Sequence, residues 1–310
     1  MRLLVVGAGS TGGYFGGRLA QAGCDVTFLV RPVRAEQLRA TGLQIVSPHG
    51  DVSLAPKLVT ADAIDAPFDA ILLTVKAYSL DAALKDIAPA AGPGAMILPV
   101  LNGMRHLDAI CSAFGPQALI GCLCSIAAQL DDQGRIVHMS PFHNMVYGEM
   151  SGIRSARIEA IDALMQNAGF DARLSSAIEQ DMWQKWMMLA TLAGVTCLMR
   201  GSIGDIVGAP GGLDFVERFF DEVVSVAVAS GHAPAADFLA QTRALLTAPG
   251  STLTSSMYRD LRKNSPIEAD QIIGDLLARA RQAQVSTPLL ATAYTHLAVY
   301  QNRLAANHRA

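Results

Sequence analysis

The chain has 310 residues, with 24 lysines and arginines against 27 aspartates and glutamates, for a formal net charge of −3. This length suits two domains, each able to bury a core. The mildly acidic balance, with no long Lys/Arg run, excludes the concentrated positive face that nucleic-acid phosphates demand, so no nucleic-acid partner is expected.

Hydrophobic residues make up 51% of the sequence. Even so, the best uncharged apolar run, residues 186–199, falls short of the roughly 20 residues that span a bilayer. No membrane partner is expected, and the surplus apolar residues are assigned to a core or a subunit interface. The opening MRLLVVGAGS carries too short an apolar run for a secretory leader, which predicts a cytoplasmic protein. The five cysteines, Cys24, Cys111, Cys122, Cys124 and Cys197, form neither a paired zinc pattern nor a disulfide framework, so buried thiols and no metal site are expected.

Along the first half, short apolar runs alternate with helical patterns, as parallel β/α units do. Strands are predicted at 3–6, 26–30, 70–75, 96–101 and 118–122, with weaker signals at 144–147 and 172–174. Helices are predicted at 14–22, 34–40, 79–87 and 155–166. Strands so continuously apolar belong in a sheet covered on both faces. After residue 177 the strand signals stop. Turn signals at Ala209-Pro210-Gly211-Gly212, Ala248-Pro249-Gly250-Ser251 and Ser265-Pro266 separate at least four helices. The expected organisation is a domain over residues 1–177 and an all-helical domain over residues 178–310.

Gly7-Ala8-Gly9-Ser10-Thr11-Gly12 follows the first predicted strand and leads into a helix. In that position a GxGxxG pattern is the dinucleotide fingerprint of a Rossmann-type α/β domain. Gly7 makes the tight turn, Gly9 admits a pyrophosphate, Gly12 lets helix and strand pack closely, and the helix N-terminus, including Ser10 and Thr11, faces the phosphates. An NAD site places an acid at the end of the second strand; here that strand is followed by Arg31, whose guanidinium suits a 2′-phosphate. NADP(H) is therefore the expected cofactor, with Arg34 as a possible second contact.

Ligands in open α/β sheets bind beyond the carboxyl ends of the strands. Lys76 and Asn102-Gly103 occupy such positions. Each suits a grip on cofactor or anionic substrate, and each equally suits a solvated strand end.

The segment from Ala177 to Lys185 opens a helix with acids in its first turns, and beyond Lys185 no charge occurs until Arg200. A helix apolar on every face is buried, so Lys185 stands at the mouth of an apolar element, on one face with Leu189 and Leu192. A partly desolvated ammonium loses its proton more readily and suits a general acid toward a carbonyl. The competing reading is a lysine that snorkels to water. Ser255-Ser256-Met257 and Ile267-Glu268-Ala269-Asp270 read, on periodicity alone, as a helix, a loop and a second helix with an acidic first turn.

Together these motifs resemble the ketopantoate reductases (2-dehydropantoate 2-reductases) over nearly the full chain. The resemblance rests on Gly7 to Gly12 with Gly13-Tyr14-Phe15-Gly16, on Val75-Lys76-Ala77-Tyr78, on Leu101-Asn102-Gly103-Met104, on Trp183-Gln184-Lys185-Trp186, and on the two segments just named. It implies a C-terminal domain like that of 6-phosphogluconate dehydrogenase and NADPH-dependent reduction of 2-dehydropantoate to pantoate, a step of pantothenate biosynthesis. It further implies that Lys185 is the general acid, that Lys76 and Asn102 lie at nicotinamide and substrate, and that a serine and Glu268 hold substrate and tune the lysine. Between Ser255 and Ser256, the spacing to Glu268 favours Ser256. Where well-known members carry a substrate-contacting asparagine one turn after the lysine, this chain has Leu189.

Three other readings stand beside this one. They are an NADP-dependent reductase of another small 2-keto or 3-keto acid, a non-catalytic NADP(H)-sensing protein, and a helical interaction module carrying a Rossmann domain. The uniformly apolar helix 186–199 also suggests a homodimer interface.

Overall fold

The structure is a computed structural model and describes residues 1–307. The chain folds as two compact units, one of Met1–Leu101 with His106–Glu179, the other of Asn102–Arg105 with the chain from Gln180 onward.

In chain order the first unit runs β1 (Arg2–Val6), α1 (Ser10–Gln21), β2 (Asp25–Leu29), α2 (Pro32–Thr41), β3 (Leu43–Val46), β4 (Val52–Leu54), β5 (Lys57–Val59), β6 (Ala70–Leu73), α3 (Leu80–Asp86) and β7 (Met96–Pro99). It continues with α4 (Arg105–Phe114), β8 (Gly121–Leu130), β9 (Ile136–Gly148), α5 (Ala156–Met165) and β10 (Asp171–Leu174). Its main sheet has the order β5-β2-β1-β6-β7, and every pairing in it is parallel. The chain turns one way from β1 to β2 and the other way to β6, so the switch point, where ligands bind, lies beyond the carboxyl ends of β1 and β6.

All residues of β6 and β7 are buried, which explains their uninterrupted apolar sequences. Phe15 and Leu19 of α1 pack in one core with Phe28, Leu72 and Leu98. Gly16 makes this possible, because a Cβ there would stand 2.7 Å from the Phe28 ring.

A second sheet runs β10-β9-β3-β4, with β8 paired antiparallel to β9. Most of this sheet lies outside the predicted strands. The strand expected at 118–122 begins only at Gly121, because Pro116–Ala118 is a 3₁₀ turn, and it extends to Leu130. Residues 136–148 form one long strand where only 144–147 were expected. The strands expected at 70–75 and 96–101 end at Leu73 and Pro99. Past Leu73 the chain turns, and the Thr74 hydroxyl donates to the Val6 and Gly7 carbonyls. β3, β4 and β5, of three or four residues each, are too short for an alternation pattern to register.

One ion pair secures the end of β9. Arg157 donates from Nε and Nη2 to the two carboxylate oxygens of Glu149, at 2.7 and 2.6 Å, and the Ser155 hydroxyl adds a third bond at 2.6 Å. The Arg157 guanidinium holds the Glu149 carboxyl below the usual carboxylate range. A depressed carboxylate stabilises the fold above its unfolded pKa, about 4.3, and that stability disappears as pH falls through the lower folded value. Glu149→Gln is expected to lose about 1–2 kcal/mol at pH 7, and its melting temperature should fall less than that of the wild type on acidification below about pH 4.3. Thermal melts across pH 3–7 check this.

The second unit is built from α6 (Ile178–Met199), α7 (Ile203–Val207), α8 (Gly212–Ala229), α9 (Ala236–Leu246), α10 (Ser256–Arg262), a π-helical turn at Asp270–Gly274, α11 (Asp275–Gln282) and α12 (Pro288–Asn307). All its described elements are helical. The apolar stretch of α6 is buried inside this unit from Trp186 through Cys197, apart from the half-buried Met188 and Leu189. Of its large side chains only Met199 is exposed. The expectation of a subunit interface on this helix is therefore corrected: α6 is a core helix. α8 presses the Phe219 ring against Gly194, where a Cβ would collide with it. From the same helix the Glu222 carboxylate accepts the Leu289 and Leu290 amides at 3.1 and 2.9 Å, capping α12 at its positive end. No described helix is long and apolar enough to cross a membrane.

Candidate active site

In the first unit, the end of β1 leads into a tight glycine turn. Gly7 adopts φ +97, a conformation open to glycine and strained for other residues, and its amide donates to the Leu29 carbonyl at 2.9 Å. Gly12 packs so closely that a Cβ would collide with the Gly7 carbonyl and the Thr74 hydroxyl. Gly9, the N-cap of α1, faces open space instead. No acid occupies the first turn of α1, so Ser10 and Thr11 present an uncompensated positive helix end.

Arg31 is the exposed N-cap of α2, two residues past β2, and no acid stands at that strand end. Arg34 is engaged differently from what the sequence suggested. Its Nε and Nη2 donate to the Ala8 carbonyl at 3.2 and 3.0 Å, and Nη2 also reaches the Gly134 carbonyl at 3.1 Å. It braces the glycine turn against the hairpin of β8 and β9. Lys76 is exposed at the end of β6, as N-cap of a 3₁₀ turn over Ala77–Ser79. The switch point thus gathers Gly7, Gly9, Ser10, Thr11 and Gly12, with Arg31 and Lys76 at the adjoining strand ends.

In the second unit, Lys185 lies half-buried on α6, and two buried indoles of the same helix, Trp183 and Trp186, pack on each other with ring centroids 4.9 Å apart. Trp183 stacks on His232 with ring centroids 4.6 Å apart. The Trp186 Nε1–H donates to the Ile272 carbonyl at 2.9 Å, within the π-helical turn. Ile272 in turn donates its amide to the Glu268 carbonyl at 3.0 Å. Glu268 is 7% exposed. The Asn102–Gly103 turn meets the same segment: Gly103, at φ +78, packs so tightly on the Gln271 carbonyl that a Cβ would collide with it. The structure therefore brings together the Lys185 helix, the Glu268 segment and the Asn102 turn. A π-helical turn at this junction is a frequent mark of functional sites.

The two serines separate. Thr196 spends its hydroxyl proton on the Leu192 carbonyl at 2.6 Å, so the Ser255 hydroxyl donates to Thr196 at 3.0 Å while accepting the Tyr258 amide at 3.0 Å. Ser255 is consumed as a buried helix cap. Ser256, the next residue, is half-buried at the start of α10. The anchoring contact at Thr196 lies about three turns of α6 beyond Lys185, so α10 is tied to the far half of that helix rather than to Lys185 itself. Leu189 is half-buried one turn after Lys185.

Comparison with known proteins gives this arrangement its family. Residues 3–152 match the model of ketopantoate reductase PanE/ApbA, and residues 177–301 match the model of its C-terminal domain. The chain belongs to the ketopantoate reductase family. It is an oxidoreductase acting on CH–OH groups, with the Rossmann-type and helical architecture of that family. The uncharacterized oxidoreductase YkpB of Bacillus subtilis is 36% identical over 97% of this chain and 99% of its own. The crystal structure of 2-dehydropantoate 2-reductase from Methylococcus capsulatus superposes with a TM-score of 0.87 at 26% identity, covering 98% of each chain. A D-mandelate dehydrogenase solved with NADH and anilino(oxo)acetate shares the fold, with a TM-score of 0.88 at 20% identity over 98% of this chain and 99% of its own.

Proposed function

We propose that this protein reduces a small 2-keto acid with NADPH, and that 2-dehydropantoate, on the route to pantothenate, is a substrate. The observation carrying this reading is the half-buried Lys185, whose helix is pinned through Trp186 to the segment of Glu268 and Asn102. When bound, the nicotinamide supplies the hydride. Residues 1–177 would hold it: the Gly7–Gly12 turn and the α1 N-terminus take the pyrophosphate, Arg31 the 2′-phosphate, and Lys76 and Asn102 the nicotinamide end. Residues 178–310 would supply the acid. As charge develops on the substrate oxygen, the Lys185 ammonium hydrogen-bonds to it and transfers its proton. Glu268 orients the lysine, and Ser256 binds substrate while Ser255 holds the helix. Oxidation of NADPH dependent on added ketopantoate, followed at 340 nm, tests the assignment. Absence of turnover with any 2-keto or 3-keto acid would leave the cofactor-sensing reading in its place.

A second substrate reading rests on Leu189. A pocket that hydrogen-bonds the hydroxyl of ketopantoate rejects analogues lacking it by a large factor, because a buried polar partner is otherwise left unpaired. With leucine one turn after the acid, that face is apolar. Discrimination against 2-ketoisovalerate should therefore be weak, and Leu189→Asn should raise the preference for ketopantoate by about tenfold or more, since one such bond is worth about 1–2 kcal/mol. The ratio of kcat/KM for the two acids in both proteins measures it. A wild type that already discriminates strongly would show that the remaining polar groups suffice. A homodimer in the cytoplasm is part of the same proposal, with its interface elsewhere than α6, and light scattering of the purified protein tests the dimer.

A further inference from the structure

Three histidines outside the residues assigned to the reaction converge in the first unit. His138 and His143 lie on β9, and His49 lies in the turn between β3 and β4. The parallel pairing of β3 with β9, through Ile45 with Ile136 and Val46 with Val137, brings these distant segments side by side. The His49 and His143 rings stack with centroids 3.7 Å apart and planes 19° apart, and His138 lies 5.6 Å from each. One nitrogen of each ring lies within 4.8 Å of one nitrogen of the other two.

The hydrogen bonds resemble those that orient metal-bound imidazoles, whose second nitrogen donates to a carbonyl or similar acceptor. The His49 Nε2 meets the Pro141 carbonyl at 2.8 Å, and the His138 Nε2 meets the Phe142 carbonyl at 3.2 Å. A carbonyl only accepts, so both Nε2 atoms carry the proton; the His49 Nδ1 keeps its lone pair, and the His138 Nδ1 accepts the Ser47 hydroxyl, a bond that an incoming metal ion displaces. The His143 Nδ1 bonds the Tyr14 hydroxyl at 2.6 Å, and the Ser47 hydroxyl lies 2.9 Å from the His138 Nδ1.

We propose that His49, His138 and His143 form a binding site for a divalent transition-metal ion of the zinc class. Imidazole suits zinc, copper and nickel rather than magnesium or calcium. A tetrahedral zinc with bonds near 2.0–2.1 Å needs nitrogens roughly 3.4 Å apart, so nitrogens now within 4.8 Å of one another must close by up to about 1.4 Å. His49, exposed on its turn, can supply that movement. Access runs through an open cleft of about 440 Å³ lined by His49, His143 and Asp171. Asp171 brings a favourable negative charge to the cleft. Arg18 opposes it, held over the Tyr14 ring at 5.3 Å and bonded to the Gly50 carbonyl. The bound ion clips the turn after β3 to β9.

The test uses the full-length protein, stripped by a chelator and titrated with zinc chloride alone, then with cobalt chloride. The expected result is one zinc per chain, and visible cobalt bands of tetrahedral intensity. His49→Ala, on an exposed turn, and His143→Gln should each weaken zinc binding at least about tenfold. Circular dichroism checks that each variant is folded. If His143→Gln fails to fold, His49→Ala and the wild-type cobalt spectrum decide the matter. Zinc binding equally tight in His49→Ala, or no zinc retained by the wild type, would overturn the proposal.

Discussion

Replacing Lys185 with alanine is expected to lower kcat by about two to four decades while leaving the KM for NADPH nearly unchanged. The size follows from the role. A positioned general acid contributes on this scale to carbonyl reduction, whereas a lysine that only covers a helix end contributes nothing to the chemical step. The structure sharpens the expectation, because Lys185 is half-buried on a helix whose next residue, Trp186, is tied to the Glu268 segment by its bond to the Ile272 carbonyl. Lys185→Arg separates charge from proton transfer. Arginine keeps a cation near the oxygen yet holds its proton too tightly to give it up, so a low kcat with intact binding is expected there too. Pre-steady-state and steady-state NADPH oxidation read both effects, and wild-type turnover in Lys185→Ala would return the residue to the snorkelling reading.

Arg31→Ala should raise the KM for NADPH by about 10- to 100-fold and spare NADH, since a lost charge-assisted contact costs about 1.5–3 kcal/mol. The neighbouring arginine supplies the control. Arg34 does not face solvent like Arg31; it grips the carbonyl of Ala8 inside the glycine turn. Its removal loosens the glycine turn, so if that turn takes the pyrophosphate as proposed, Arg34→Ala should weaken NADPH and NADH alike. Steady-state kinetics with both cofactors on both variants separates a phosphate contact from a brace. Equal use of the two cofactors by the unmodified protein would show that Arg31 makes no such contact.

The residues that the sequence made legible share one property: their signal is local. Gly7 and Gly12 announce themselves because a turn and a tight packing each exclude a side chain within a few residues of one strand, whereas a Cβ at Gly9 would meet open space. The main parallel sheet is legible for the same reason, since each of its long strands is apolar on both faces. Lys185 stands out as the last charge before a long apolar helix. What stayed hidden depends on partners distant in the chain. Ser255 and Ser256 are identical as letters, and only Thr196, whose proton already goes to Leu192, shows which hydroxyl is consumed. Arg34 reads as a second phosphate ligand until the Ala8 carbonyl is seen beside it.

By itself, then, the sequence determined that this chain folds a Rossmann-type α/β unit followed by helices, with Arg31 rather than an acid after the second strand, because periodicity and turn chemistry are written in neighbouring residues. The tertiary structure decided the rest. It buried α6 in its own unit rather than at an interface, drew the Asn102 turn onto the Gln271 carbonyl, and paired β3 with β9 so that His49 meets His138 and His143. Those outcomes depend on which surfaces pack together and which strands share hydrogen bonds, and such pairings join residues scores of positions apart, where a linear pattern holds no trace of them.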